Sequence, residues 1–263
     1  MNYSIDIVKI GGSIITKKEN YKHIVKESIT LIADILVKSE QNYIIVHGAG
    51  SYGHVIAKKY QIKTGYDSRE QITGVVKIRS DMNELNSIIV ETFVEKGINA
   101  IGMQTSAMVV KNNIGDYSTF IEPLLNTLKL GIIPVLYGDV IFDTKNGFTI
   151  LSGDSLCTLL AQKMNAKRVI FLTDVDGIYG KRTPTEDYHL LDVIEKAALD
   201  SIELEILTNT DKIDVTGEMD GKIKEIKEMS NYVDEVIIVN GLLPERVLAV
   251  LKNEPTICSK IVK

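Results

Sequence analysis

Six short apolar runs recur along this chain with longer amphipathic stretches between them, and that alternation limits the fold more than any other feature. Ile5–Ile10, Tyr43–Val46, Ile98–Met103, Ile132–Tyr137, Val169–Thr173 and Glu235–Val239 are rich in β-branched residues and read as buried strands. Strands so uniformly apolar suit a parallel sheet covered on both faces. Helical patterns fall between them at Tyr21–Val37, Ser68–Lys96, Thr119–Lys129, Asp154–Met164 and Gly221–Tyr232. The expected class is α/β, with a mainly parallel central sheet between helical layers. Two segments break the pattern. Ala107–Phe120 carries Asn112-Asn113 and Gly115, and Val140–Leu151 carries Lys145-Asn146-Gly147; both read as β-hairpins with Asn/Gly turns.

Glycine-bearing loops follow several of the strands. Lys9-Ile10-Gly11-Gly12-Ser13 closes the first, where glycines let backbone N–H groups approach an anion. Lys9 inside an apolar strand needs a partner for its ammonium, or it is a snorkelling lysine at an ordinary turn. The second strand runs into His47-Gly48-Ala49-Gly50-Ser51-Tyr52-Gly53-His54, a G-x-G-x-x-G pattern shared with dinucleotide-binding oxidoreductases. The acidic residue those proteins place after the next strand is missing, because Asp67 and Glu70 lie in a polar loop and helix start.

Ser152-Gly153-Asp154 opens a helix, either as a plain N-cap or as a third anion loop. Thr173-Asp174-Val175-Asp176-Gly177-Ile178-Tyr179 puts carboxylates at the carboxyl end of a strand, or is an Asp-Gly turn. Asp214-Val215-Thr216-Gly217 through Gly221-Lys222 leads into a helix whose first turn holds Lys222, a poor place for a cation unless a phosphate sits there too. No Walker A sequence occurs.

The formal net charge of -5 gives no bulk field for nucleic acid, so anions must be met by individual cations. Cys157 and Cys258 are too few for a disulfide scaffold and match no zinc spacing. The opening MNYSIDIVKI has no signal-type apolar region, and no run approaches the ~20 residues of a membrane span. A cytoplasmic protein with no membrane partner is expected.

Taken in order, these five loops resemble the amino acid kinase superfamily, and they span essentially the whole chain. The resemblance implies an open αβα sandwich with hairpins on an N-terminal lobe (about 1–167) that binds a phosphate acceptor. It also implies a C-terminal lobe (about 168–263) that binds ATP, and a homodimer formed through the N-lobe. Within the superfamily the chain resembles the isopentenyl phosphate kinase family, through Lys18 after Gly-Gly-Ser-Ile-Ile-Thr, the loop ending at His54 and, more weakly, Arg79 to Leu85. Glu218 departs from that pattern, standing where a second glycine is expected beside Gly217.

The implied reaction moves the γ-phosphoryl of ATP onto isopentenyl phosphate. Lys9 and Lys222 would meet the β- and γ-phosphates, Lys18 would bridge toward the γ-phosphate or acceptor, and His54 would hold the acceptor phosphate. Backbone N–H groups of Gly12, Ala49, Gly50 and Gly153 would cradle the substrates, and Asp154 would orient the lysines. Gly11, Ser13, Asp174, Tyr179, Gly217 and Gly221 complete the expected ATP contacts. Mg²⁺ would ride on phosphate oxygens and water, without a protein cage.

His47, at the end of a buried strand, is expected to be structural. Val75, Ile78, Met82, Leu85 and Ile89 make one helix face, whose start at Val75–Met82 is the candidate pocket for an isoprenoid tail. Rival readings are fosfomycin, uridylate, glutamate 5- or carbamate kinase, or a non-catalytic nucleotide-binding protein of the same fold.

Overall fold

The computed structural model describes residues 5–17, 20–181, 187, 189–199, 203–205 and 218–263. Its strands are β1 (Asp6–Ile10), β2 (Tyr43–His47), β3 (Ala100–Gly102), β4 (Val109–Lys111), β5 (Tyr117–Thr119), β6 (Ile133–Tyr137), β7 (Asp139–Asp143), β8 (Gly147–Leu151), β9 (Arg168–Thr173), β10 (Tyr179–Lys181), β11 (His189–Leu190), β12 (Val193–Glu195), β13 (Glu203–Glu205), β14 (Glu235–Asn240) and β15 (Ser259–Val262). The α-helices are α1 (Gly12–Ile15), α2 (Lys26–Ser39), α3 (Gly50–Lys59), α4 (Arg69–Glu95), α5 (Glu122–Lys129), α6 (Gly153–Met164), α7 (Glu218–Met229) and α8 (Pro244–Leu251).

Among the described residues, eight strands form one sheet in the order β12-β15-β14-β9-β1-β2-β6-β3. From β14 to β3 every neighbouring pair is parallel, and only β15 runs against β14. Alternate residues of each central strand enter opposite cores. Ile170 and Leu172 of β9 join Val8, Ile45 and Val135 beneath α2, α3, α4 and α8, whereas Val169 and Phe171 join Ile7, Val46 and Leu136 beneath α5, α6 and α7. This is the expected open αβα sandwich. Both hairpins form, β4 with β5 and β7 with β8, and parallel pairing of β4 with β7 joins them into a four-stranded sheet.

Several boundaries differ from the sequence reading for local reasons. The run Ile98–Met103 contributes only β3, an edge strand bonded to β6 alone, which leaves Ile101 46% exposed. Helix α5 starts at Glu122 rather than Thr119, because Tyr117–Thr119 pairs with β4 and Pro123 suits a first helical turn. Helix α2 starts at Lys26, since the chain before it makes a turn closed by a Thr16–Ile24 bridge. Helix α4 begins as expected, with Gln71 Oε1 accepting from the N–H groups of Asp67 (2.7 Å) and Ser68 (3.0 Å). Helix α8 and strand β15 were not singled out by the periodicity.

Arg168 lies buried at the start of β9. Its Nε donates to Asp6 Oδ2 at 3.0 Å and its guanidinium to the Val250 carbonyl at 3.0 Å, so the buried charge is paired and bonded. No helix among the described residues is long and apolar enough to cross a membrane.

Candidate active site

The carboxyl ends of β1, β2, β6 and β9 meet near the middle of the sheet, where open α/β folds bind ligands. Lys9, the fourth residue of β1, is 7% exposed and has Val46 and Phe171 as its lateral neighbours. Its Nζ lies 2.9 Å from Asp154 Oδ1 and 5.9 Å from the centre of the Phe171 ring. Burial pulls the lysine pKa down, but the Asp154 carboxylate, with Cys157 and Asp174 beyond it, more than offsets that and holds it above its ordinary value. The ammonium therefore stays charged inside the fold. Asp154 is the second residue of α6, where the helix dipole favours a carboxylate. Ser152 Oγ caps that helix by accepting from Ser155 N at 3.0 Å.

The glycine segments meet main chain against main chain. A Cβ on Gly12 would lie 2.5 Å from Gly50 N, and one on Gly138 would lie 2.6 Å from Gly153 N. Gly50 also has φ +48°, which favours glycine. A Cβ on Gly153 would approach Lys9 Cε to 3.5 Å. Thr16 locks the first two loops together: its Oγ1 donates to the Gly12 carbonyl at 2.8 Å and accepts from Ser51 N at 2.9 Å. The start of α3 is thus fixed on the first loop, and the start of α6 lies beside the buried Lys9 ammonium, an arrangement suited to phosphate oxygens.

His47 is fully buried, stacks on Tyr137 with ring centres 5.3 Å apart, and lies between the Gly48 carbonyl (Nδ1, 3.1 Å) and Asn86 Nδ2 (Nε2, 3.2 Å). These partners assign the proton to Nδ1. Burial, reinforced by the Lys9 charge, lowers its pKa to about 4. Between that value and the ordinary 6.5 the unfolded chain binds the proton and the folded chain does not. Stability should therefore fall as pH drops through this window, by on the order of 3 kcal/mol for this group. Urea unfolding of wild type and His47→Gln at pH 7 and pH 5 checks this: the variant should lose that share of the slope.

Asp174 is half-buried just past β9, and its charge reaches Lys9. Asp176 is instead a structural clamp, accepting from Asn240 Nδ2 at 2.9 Å and Arg246 at 2.8 Å. Tyr179 lies half-buried in β10. Gly11, whose N–H donates to the Leu172 carbonyl at 2.9 Å, and Ser13 belong to the first loop. The structure thus brings together Lys9, Gly11, Gly12, Ser13, Ala49, Gly50, Gly153, Asp154 and Asp174.

His54 is exposed on α3. The helix starts within the glycine pattern, at Gly50, so His54 sits about 6 Å along it rather than ahead of it. Ile78 and Met82 lie in the core with Leu85 and Ile89, and Val75 packs half-buried against them. Lys18 and Gly217 lie outside the described residues, and for Gly221 and Lys222 only the backbone, in the first turns of α7, is described. Among the described residues no group of three or more His, Cys, Asp or Glu is placed to hold a metal ion.

Two positioning contacts escaped the sequence reading. Thr16 is one. Glu225 is the other: it accepts from Ser155 Oγ at 2.7 Å and Thr158 Oγ1 at 3.0 Å, docking α7 on α6 one turn beyond Lys222. Only its i+3 spacing from Lys222 hinted at the role.

A buried lysine–aspartate pair beside glycine loops at the head of a parallel sheet suits a protein that handles phosphate groups. The model of the amino acid kinase family matches residues 5–240, and the chain belongs to that family. Within it, the chain is 35% identical to the isopentenyl phosphate kinase of Methanothermobacter thermautotrophicus, over 94% of its own length and 95% of that protein's. It is also similar to two solved structures. An isopentenyl phosphate kinase determined by X-ray gives a TM-score of 0.79 at 30% identity, covering 98% of this chain and 100% of that one. The product complex of the Thermoplasma acidophilum isopentenyl phosphate kinase gives 0.77 at 27% identity, covering 98% and 99%.

Proposed function

We propose that this chain transfers the γ-phosphoryl group of ATP to isopentenyl phosphate, yielding isopentenyl diphosphate and ADP. The observation that carries this reading is the buried Lys9–Asp154 pair at 2.9 Å, set among the backbone loops from which the His54 helix springs. Similarity to isopentenyl phosphate kinases along nearly the whole chain supports the choice of acceptor.

An acceptor phosphate monoester is already a dianion near neutral pH, its second pKa being about 6, so no general base is required. One of its oxygens bonds to the γ-phosphorus as the β,γ-bridging P–O bond breaks and ADP leaves with the electron pair. The work of the protein is to hold two mutually repelling anions in line and to stabilise charge on the transferring group. Lys9 faces the β- and γ-phosphates, with Lys18 and Lys222 as further cations, while Asp154 holds the Lys9 ammonium in place. Backbone N–H groups of Gly12, Ala49, Gly50 and Gly153 bind phosphate oxygens, and His54 holds the acceptor phosphate. Asp174 is the carboxylate that would meet Mg²⁺ on the nucleotide side, and the ion would supply neutralising charge.

Residues 1–167 take the acceptor and 168–263 the ATP. Val75, half-buried against the core residues Ile78 and Met82, is the member of that helix face with surface to offer the tail. Homodimerisation is supported by the outer edge of β3, which among the described residues pairs with β6 alone, and by its exposed Ile101. A cytoplasmic setting suits two buried cysteines that form no disulfide and an ATP-dependent reaction.

An ADP-release assay across isopentenyl phosphate, fosfomycin, UMP, carbamate and glutamate tests the reading. Turnover is expected with isopentenyl phosphate; turnover of another acceptor with isopentenyl phosphate ignored would refute it.

A further inference from the structure

Asp81 is a carboxylate 3% exposed on α4, outside the glycine cradle and unused by the chemistry above. It holds the turn that precedes α2: Tyr21 donates its hydroxyl proton to Oδ2, and Lys22 Nζ lies 3.2 Å from Oδ1. Lys77, one helical turn earlier, reaches it at 3.6 Å, and Glu84 binds Lys22 from the next turn. The anchored Lys22 ammonium stands 5.5 Å over the ring of Tyr52, which is buried in the first turn of α3. From the same turn His23 N donates to Ser51 Oγ at 3.3 Å. Met82, next to Asp81, supports the other side of α3: a Cβ on Gly53 would lie 3.5 Å from its Sδ. His54 follows Gly53 directly.

We propose that Asp81 is a positioning residue for the acceptor phosphate: by fixing Lys22 on Tyr52 and the Tyr21–His23 turn on α3, it sets where His54 stands. This rests on the reading of His54 as the holder of that phosphate. A carboxamide at position 81 keeps the size but not the charge, freeing Lys22 from one side and letting the start of α3 shift. Displacements of this kind cost rate and affinity at the group displaced and leave distant contacts untouched.

The test is a double-mutant cycle of Asp81→Asn and His54→Ala, with KM read separately for isopentenyl phosphate and ATP. In the wild-type background Asp81→Asn should raise the isopentenyl phosphate KM about tenfold and leave the ATP KM within about twofold. In the His54→Ala background the same change should move the acceptor KM less than about twofold, because the partner it positions is gone. An unchanged acceptor KM, equal changes in both KM values, or full additivity would each overturn the inference. Lys22→Met, a change at a partly exposed side chain, carries the same expectations should Asp81→Asn not fold. If wild type ignores isopentenyl phosphate, the underlying reading falls and takes the inference with it; wild-type turnover with flat variants defeats the inference alone.

Discussion

Lys9→Met should lower kcat for isopentenyl phosphate phosphorylation about 10²- to 10³-fold, the scale seen when one preorganised charge-stabilising donor is removed. Methionine fills much of the same volume, so the core between Val46 and Phe171 survives while the positive charge is lost. Asp154 then loses the ammonium 2.9 Å away, and breaking a largely buried pair on one side costs about 3 kcal/mol or more. Kinetics and urea unfolding at pH 7 should both move, whereas Lys9 as a mere filler of the strand would move neither much. Turnover within about tenfold of wild type would remove Lys9 from the chemistry.

His54→Ala should reduce kcat/KM for isopentenyl phosphate about 10²-fold, with ATP affinity by calorimetry nearly unchanged. The asymmetry follows from location. His54 is solvent-exposed on α3, which starts at the second glycine loop, whereas the Lys9–Asp154 pair joins the first strand to the third loop. Equal loss of ATP binding would place His54 on the nucleotide rather than the acceptor.

Much of the sheet was legible in the sequence because a strand covered on both faces must be mostly apolar, as β1, β2, β6, β9 and β14 are. The Asn/Gly turns disclosed both hairpins. Edges were harder to read: the run Ile98–Met103 is apolar enough for a longer strand, but only Ala100–Gly102 pairs with β6. Strand β15 escaped notice because it is short and runs antiparallel to β14.

In the site, residue types and order were readable, but mutual geometry was not. Nothing local in the sequence shows that Gly12 presses on Gly50, that Thr16 bonds both their segments, or that Tyr21 and Lys22 dock on Asp81 far along the chain. Such contacts are products of topology.

The interlocked glycines carry a consequence for how such a protein can change. Where two backbones touch with no room for a methyl between them, as at Gly12 with Gly50 and Gly138 with Gly153, no single substitution can reshape one without displacing the other. The glycine cradle is therefore rigid against stepwise alteration, and a laboratory search for new acceptors belongs at its periphery. Libraries aimed at the β7–β8 hairpin and the start of α4 should yield altered acceptor ranges, while those aimed at the interlock return mostly inactive chains.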